Sequence, residues 1–244
     1  LDFKSMYPSI MIANNICSTT LVRDGATNDS HSVSPTTQTR YLSKDERTGL
    51  VPQLLEQLMQ SRDKHKAALV EARAAGDEAE AFLQDQLQYA VKILMNSFYG
   101  VFASSFYRFT HPDLGASITE WARHNIREII SQVENDGHDV VYSDTDSIFV
   151  RAPVDKQAPI NRPDEGDENL GEWEEAKRDT LQFGERLAER FTREGAELEF
   201  ETALSAFFSH GAKKRYVGRV VWPREEMLIR GYEVRRTDSF ALLT

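Results

Sequence analysis

Apolar residues recur along the chain with two periods, one helical and one alternating, and the switches between them outline its elements. Residues 1–16 read as the end of a strand, a turn at Tyr7-Pro8-Ser9 and a short apolar helix, IMIANNI. The stretch 23–40 is rich in Ser, Thr, Asn, Asp and Gly and reads as a loop or irregular hairpin. Pro52 suits a helical first turn, and Leu54, Leu55, Leu58 and Met59 extend an apolar face for a helix of about six turns. Gly76 stops that helix and Asp77 caps the next, predicted over 78–98, so the two form an antiparallel hairpin.

A third helix is predicted over 113–135, opened by Pro112-Asp113 and closed by Asn135-Asp136-Gly137. HDVVYSDTDSIFV then reads as two strands around a polar tip. Residues 153–172 carry Pro, Gly and many acids, as an exposed loop or insertion does. An amphipathic helix at about 173–194 precedes a strand, ELEFETAL, and a hairpin made of KKRYVGRVVW and MLIRGYEV. Helices mixed with antiparallel hairpins predict an α+β fold from which the helical hairpin projects as a subdomain.

At 244 residues the chain can bury the core of one large domain or two small ones. Its 40% hydrophobic and 28% charged residues are ordinary for a globular protein in water. The sequence holds no apolar run of bilayer length and no signal-peptide pattern, so a cytoplasmic protein without a membrane partner is expected. Its one cysteine, Cys17, excludes an internal disulfide and sits among apolar and small residues, which suits a buried thiol better than a nucleophile. The chain opens on LDF with no initiator Met, and a strand presenting Asp2 needs residues before it, so a piece of a longer protein is expected.

A net charge of −10 argues at first against a nucleic-acid partner. The distribution weakens that objection, because a binding groove responds to local field rather than to total charge. Acids concentrate in 164–179 and around 71–85, whereas bases cluster at Arg62/Lys64/Lys66, Lys213/Lys214/Arg215 and Arg235/Arg236.

Asp144-Thr145-Asp146 has an ordinary reading as a hairpin turn, since Asp favours turns. Its flanks, Tyr142, Ile148 and Phe149, place the tip on a buried hairpin, where two unpaired carboxylates repel unless a divalent cation joins them. Mg²⁺ asks for few protein carboxylates when phosphates complete its shell. Asp2, at a strand end, is a surface acid on one reading and the partner of Asp146 in bridging two ions on the other. Ser5, Met6 and Tyr7 follow in a turn whose backbone N–H groups can cradle phosphate. Lys92, Asn96 and Tyr99 share a helical face at i, i+4 and i+7, as Arg62 and Lys66 do at i, i+4. Either set can be a solvated stripe. Lys92, however, stands among Tyr89, Ala90, Val91, Ile93, Leu94 and Met95, where a cation calls for an anion, and two such helices can clamp a triphosphate.

The ordered segments DFKSMYPSI, KILMNSFYG, YSDTDS and KKRY resemble those of family B (alpha-like) DNA polymerases, archaeal replicative enzymes among them. The resemblance implies a palm, an antiparallel sheet with packed helices, with inserted fingers formed by the helical hairpin. It assigns 1–50 and 101–236 to the palm, 51–100 to the fingers and 237–244 to the truncated start of a thumb. It implies two Mg²⁺ ions held by Asp2, Asp146 and the backbone carbonyl of Phe3, with Asp144 and Glu201 as further acids and Glu199 beside them. Ser5 and Met6 resemble the triphosphate turn, and Tyr7 the ring that excludes a 2′-hydroxyl. Arg62, Lys66, Lys92 and Asn96 resemble the phosphate grip, with Tyr99 and Gly100 beneath the nascent base pair. Lys213, Lys214, Arg215 and Tyr216 resemble residues that follow primer–template DNA. Met6 stands where Leu is usual, a volume-conserving change.

Implied substrates are primer–template DNA and deoxynucleoside triphosphates, with a sliding clamp as a partner of regions outside this chain. A piece without a thumb is expected to bind DNA weakly and synthesise little or nothing. Two rivals remain open: another palm-type enzyme such as a reverse transcriptase, against which the K-x-x-x-N-S-x-Y-G helix argues, and a non-catalytic nucleic-acid-binding remnant.

Overall fold

A computed structural model describes residues 1–23, 28–108, 110–154 and 158–232. Arg235, Arg236 and the expected thumb start at 237–244 lie outside the described residues. In chain order the first elements are β1 (Asp2–Phe3), α1 (Met6–Ala13), β2 (Ser32–Val33) and β3 (Arg40–Tyr41). Three long helices follow, α2 (Leu50–Ala75), α3 (Glu78–Ala103) and α4 (Pro112–Asn135). Then come β4 (Val140–Asp144), β5 (Ser147–Val150) and α5 (Leu170–Phe191). The remaining strands are β6 (Leu198–Glu199), β7 (Ala203–Phe208), β8 (Tyr216–Trp222) and β9 (Glu226–Arg230). Helix and antiparallel sheet mix as the α+β reading expects.

The chain divides into two compact units, one of residues 1–3, 130–192 and 198 onward, the other of 4–129 and 193–197. The first unit holds a four-stranded sheet ordered β4-β5-β1-β6 and a three-stranded meander ordered β7-β8-β9. Helix α5 buries Trp173, Phe183, Gly184, Leu187, Ala188 and Phe191, a stripe at three- and four-residue spacing. Trp173, Ala203 and Val221 form a core cluster against which Leu181, Phe200 and Trp222 pack.

In the second unit α2 and α3 form the predicted hairpin. Gly76 takes a left-handed conformation (φ 74°) that suits a residue without Cβ. Asp77 then caps α3, its side chain accepting from the Glu80 N–H at 3.0 Å. Such a cap contributes about 1 kcal/mol. The first turn of α2 begins before Pro52, at Leu50, and α3 continues to Ala103, so both helices outrun their expected bounds. On α4, Leu114, Ile118, Ala122 and Ile129 are buried.

Two sequence readings of secondary structure are corrected. Tyr7-Pro8-Ser9 is not a turn but lies within α1, because first-turn N–H groups need no carbonyl and Pro8 loses nothing there. The turn falls at Lys4-Ser5, with Ser5 left-handed at φ 48°. ELEFETAL is not one strand but two, with β6 pairing on β1 and β7 on β8, so the chain changes sheets at 200–202. Among the described residues no helix is long and apolar enough to cross a membrane.

Candidate active site

Four residues lie side by side across the four-stranded sheet: Asp144 on β4, Ser147 on β5, Asp2 on β1 and Glu199 on β6. Directly opposed residues in antiparallel strands project to the same face, so one serine and three acids share a face. Their alternates Phe3, Ile148 and Leu198 are buried. The acid–apolar alternation of these short strands thus turns carboxylates to one side while apolar burial holds the sheet from the other.

Asp2 is half-buried, and Ser147 Oγ donates to its Oδ1 at 2.7 Å. Burial is the largest influence on this carboxyl. The Ser147 hydrogen bond opposes it, the charges of Asp146 and Glu201 reinforce it, and the pKa is pushed up to about 6. A carboxyl whose pKa is raised by neighbouring acids marks a place short of positive charge. Among the described residues no three His, Cys, Asp or Glu side chains form a ready-made metal cage. Mg²⁺ requires none, since it takes one or two carboxylates and completes its shell with water and phosphate.

The β4–β5 turn is Thr145-Asp146, with Thr145 at φ 52°. The backbone carbonyl of Asp146 accepts from the Phe3 N–H at 2.9 Å, tying the tip to β1. Asp144 is not the unpaired acid that the sequence suggested. Lys214 Nζ lies 2.8 Å from its Oδ1 and 2.6 Å from Thr145 Oγ1, and the Lys214 N–H donates to Tyr142 Oη at 3.0 Å. The hydrogen bond to Asp144 is the first cause of a raised Lys214 pKa. Tyr216 is buried against Tyr142, Phe149 and Phe207, and burial raises its hydroxyl pKa, while Lys213 and Arg215 are exposed. Glu199 and Glu201 are exposed as well.

In the second unit Ser5 precedes α1, whose first-turn N–H groups at Met6 and Tyr7 lack helical acceptors. Arg62 Nη1 reaches Ser5 Oγ at 3.5 Å, and Arg62 Nε is buried without a hydrogen-bond partner. A guanidinium N–H left unsatisfied suits an anionic oxygen. The Tyr7 and Tyr99 rings lie 4.5 Å apart, which joins α1 to α3. Lys66 is half-buried, whereas Lys92, Asn96 and Gly100 are exposed. The apolar neighbours of Lys92 do not bury it, since Tyr89, Ile93 and Leu94 are themselves about half exposed and Met95 alone of that run turns inward. On a helix, neighbours in sequence point in different directions. A Cβ added at Gly100 would meet only open space, so packing does not demand a glycine there.

One participant, Ser147, escaped the sequence reading, visible only as the residue after Asp146. The pairing of Lys214 with Asp144 escaped it too, because it joins residues 70 apart.

Residues 1–162 match the model described as DNA polymerase family B. The chain belongs to this family. It is 30% identical over 241 residues to DNA polymerase 1 of Pyrococcus abyssi, covering 98% of this chain and 27% of the relative. It is also 30% identical over 260 residues to the DNA polymerase delta catalytic subunit of Caenorhabditis elegans, covering 100% of this chain and 22% of that one. Among solved structures, the family B DNA polymerase of the hyperthermophilic archaeon Pyrobaculum calidifontis superposes with a TM-score of 0.63 at 25% identity. That match covers 95% of this chain and 26% of the other. The chain therefore spans about a quarter of the length of the family B relatives it matches.

Proposed function

We propose that this chain carries palm and fingers parts of a DNA-directed DNA polymerase that adds deoxynucleotides to a primer 3′-hydroxyl. The observation that carries the proposal is the acid face of the four-stranded sheet, where Asp2 is held near a pKa of about 6 by burial and by Asp146 and Glu201. Asp2, Asp146 and the Phe3 carbonyl would hold two Mg²⁺ ions, with Glu201 adding to the field and Asp144 paired to Lys214. When bound, the ions supply Lewis-acid chemistry, acidifying the attacking hydroxyl and offsetting charge on the leaving pyrophosphate.

The chain's own groups do the rest. Ser147 orients Asp2 through its 2.7 Å hydrogen bond. Arg62, Lys66, Lys92 and Asn96 bind the triphosphate with the N–H groups that begin α1, and the unsatisfied Arg62 Nε supports that role. Tyr7, braced by Tyr99, excludes a 2′-hydroxyl. Gly100 lets the nascent base pair approach α3, a reason for a glycine that costs a helix about 1 kcal/mol. Lys213, Lys214, Arg215 and Tyr216 follow primer–template DNA. The palm takes 1–50 and 101–236, and the fingers take 51–100.

Primer extension tests the proposal. Asp146→Ala in the parent polymerase should abolish extension while primer–template binding persists. Normal extension by that variant would sink the assignment.

A further inference from the structure

We infer that Gly184 and Phe200 clamp the chain where it changes sheets and so position Glu199 and Glu201 beside Asp2. The inference rests on the metal-holding role proposed for Asp2. Phe200 lies between the two glutamates, after β6 leaves the four-stranded sheet and before β7 enters the meander. Its ring stacks on Trp222 at 5.0 Å with an interplanar angle of 5°. On α5, a Cβ built at Gly184 would fall within 3.0 Å of three carbons of that ring. The phenyl ring is thus gripped between a helix backbone and an indole. Trp173, Ala203 and Val221 form the buried core against which the ring packs.

Glycine inside a helix is destabilising, so Gly184 calls for a reason, and the ring supplies it. The grip bears directly on the acid face. Glu199 is the cross-strand partner of Asp2, and Glu201 lines the same cavity as Asp2. Asp2, Gly184, Phe200 and Glu201 also line one cavity of about 770 Å³. Displacing the ring therefore moves two acids on either side of it, and Gly184 acts on the cation site as a positioning residue without touching it.

The test is Mn²⁺ binding to the chain, with free Mn²⁺ counted by electron paramagnetic resonance and no catalysis required. Gly184→Ala should weaken binding about tenfold, the scale of outer-shell substitutions at metal sites. Phe200→Leu should weaken it less. In the double variant the alanine methyl fills space the ring has left, so binding should equal that of Phe200→Leu alone, a non-additivity expected of groups in contact. Native affinity in a folded Gly184→Ala chain, or additive losses in the double variant, would overturn the clamp. Should Gly184→Ala not fold, Phe200→Leu decides, and native affinity in that variant overturns the clamp. If the unaltered chain bound no Mn²⁺ at all, the role of Asp2 would fail first, and the clamp with it.

Discussion

Replacing Asp2 by Asn should stabilise the cation-free chain at neutral pH. The carboxyl has a reference pKa of 3.8 and is pushed up to about 6 on folding, first by burial and then by Asp146 and Glu201 against the Ser147 hydrogen bond. The folded state therefore holds this proton more tightly than the unfolded state, and ionisation opposes folding. The stability that the protonated acid confers is full below 3.8 and is lost as pH rises through about 6. A difference of about two pKa units corresponds to about 3 kcal/mol, and the part of Asp2 left in solvent screens this to about 1–2 kcal/mol. Asn keeps the shape and an oxygen for Ser147 but carries no charge. Urea unfolding in EDTA should give matching stabilities near pH 4 and a 1–2 kcal/mol advantage to Asp2→Asn by about pH 8. Mg²⁺ added to the native chain should narrow that advantage. An Asn variant no more stable than native at the upper pH, or a difference that ignores pH, would show that ionised Asp2 does not oppose folding.

Two other substitutions test the second unit. Tyr7→Ala removes the ring 4.5 Å from Tyr99 and should lower the kcat/KM ratio of deoxynucleotide over ribonucleotide by about tenfold or more in the parent enzyme; an unchanged ratio would remove Tyr7 from sugar selection. Gly115→Ala places a methyl 2.9 Å from Ala103 Cα, a backbone atom that cannot turn aside. It should cost about 1–3 kcal/mol in urea unfolding, and a native midpoint would show that the contact yields.

What could be read from the sequence was what neighbours in sequence decide. Gly76-Asp77 is a stop followed by a cap, and the hairpin of α2 and α3 follows from those two residues. The β4–β5 turn was legible for the same reason, since Thr145-Asp146 closes it between adjacent strands. Pairing at a distance was not legible. ELEFETAL has strand composition throughout, and only the partners β1 and β8 divide it. Asp144 was expected unpaired because Lys214 is far along the chain. Lys92 was expected among buried residues because its neighbours are apolar, but a helix distributes those neighbours around its axis and leaves Tyr89, Ile93 and Leu94 partly in water.

The helical hairpin also constrains how this chain can change length. Helices α2 and α3 have 26 residues each, about 39 Å at 1.5 Å per residue. One residue inserted within α3 before Lys92 would turn Lys92, Asn96 and Tyr99 by about 100° away from their present direction. Substitutions on the exposed faces leave that direction untouched, and so does added length at Gly76-Asp77, where the chain already leaves the helical path. Insertions and deletions among related sequences should therefore gather at this tip, or come in steps of about seven residues, two helical turns that restore the direction of the face.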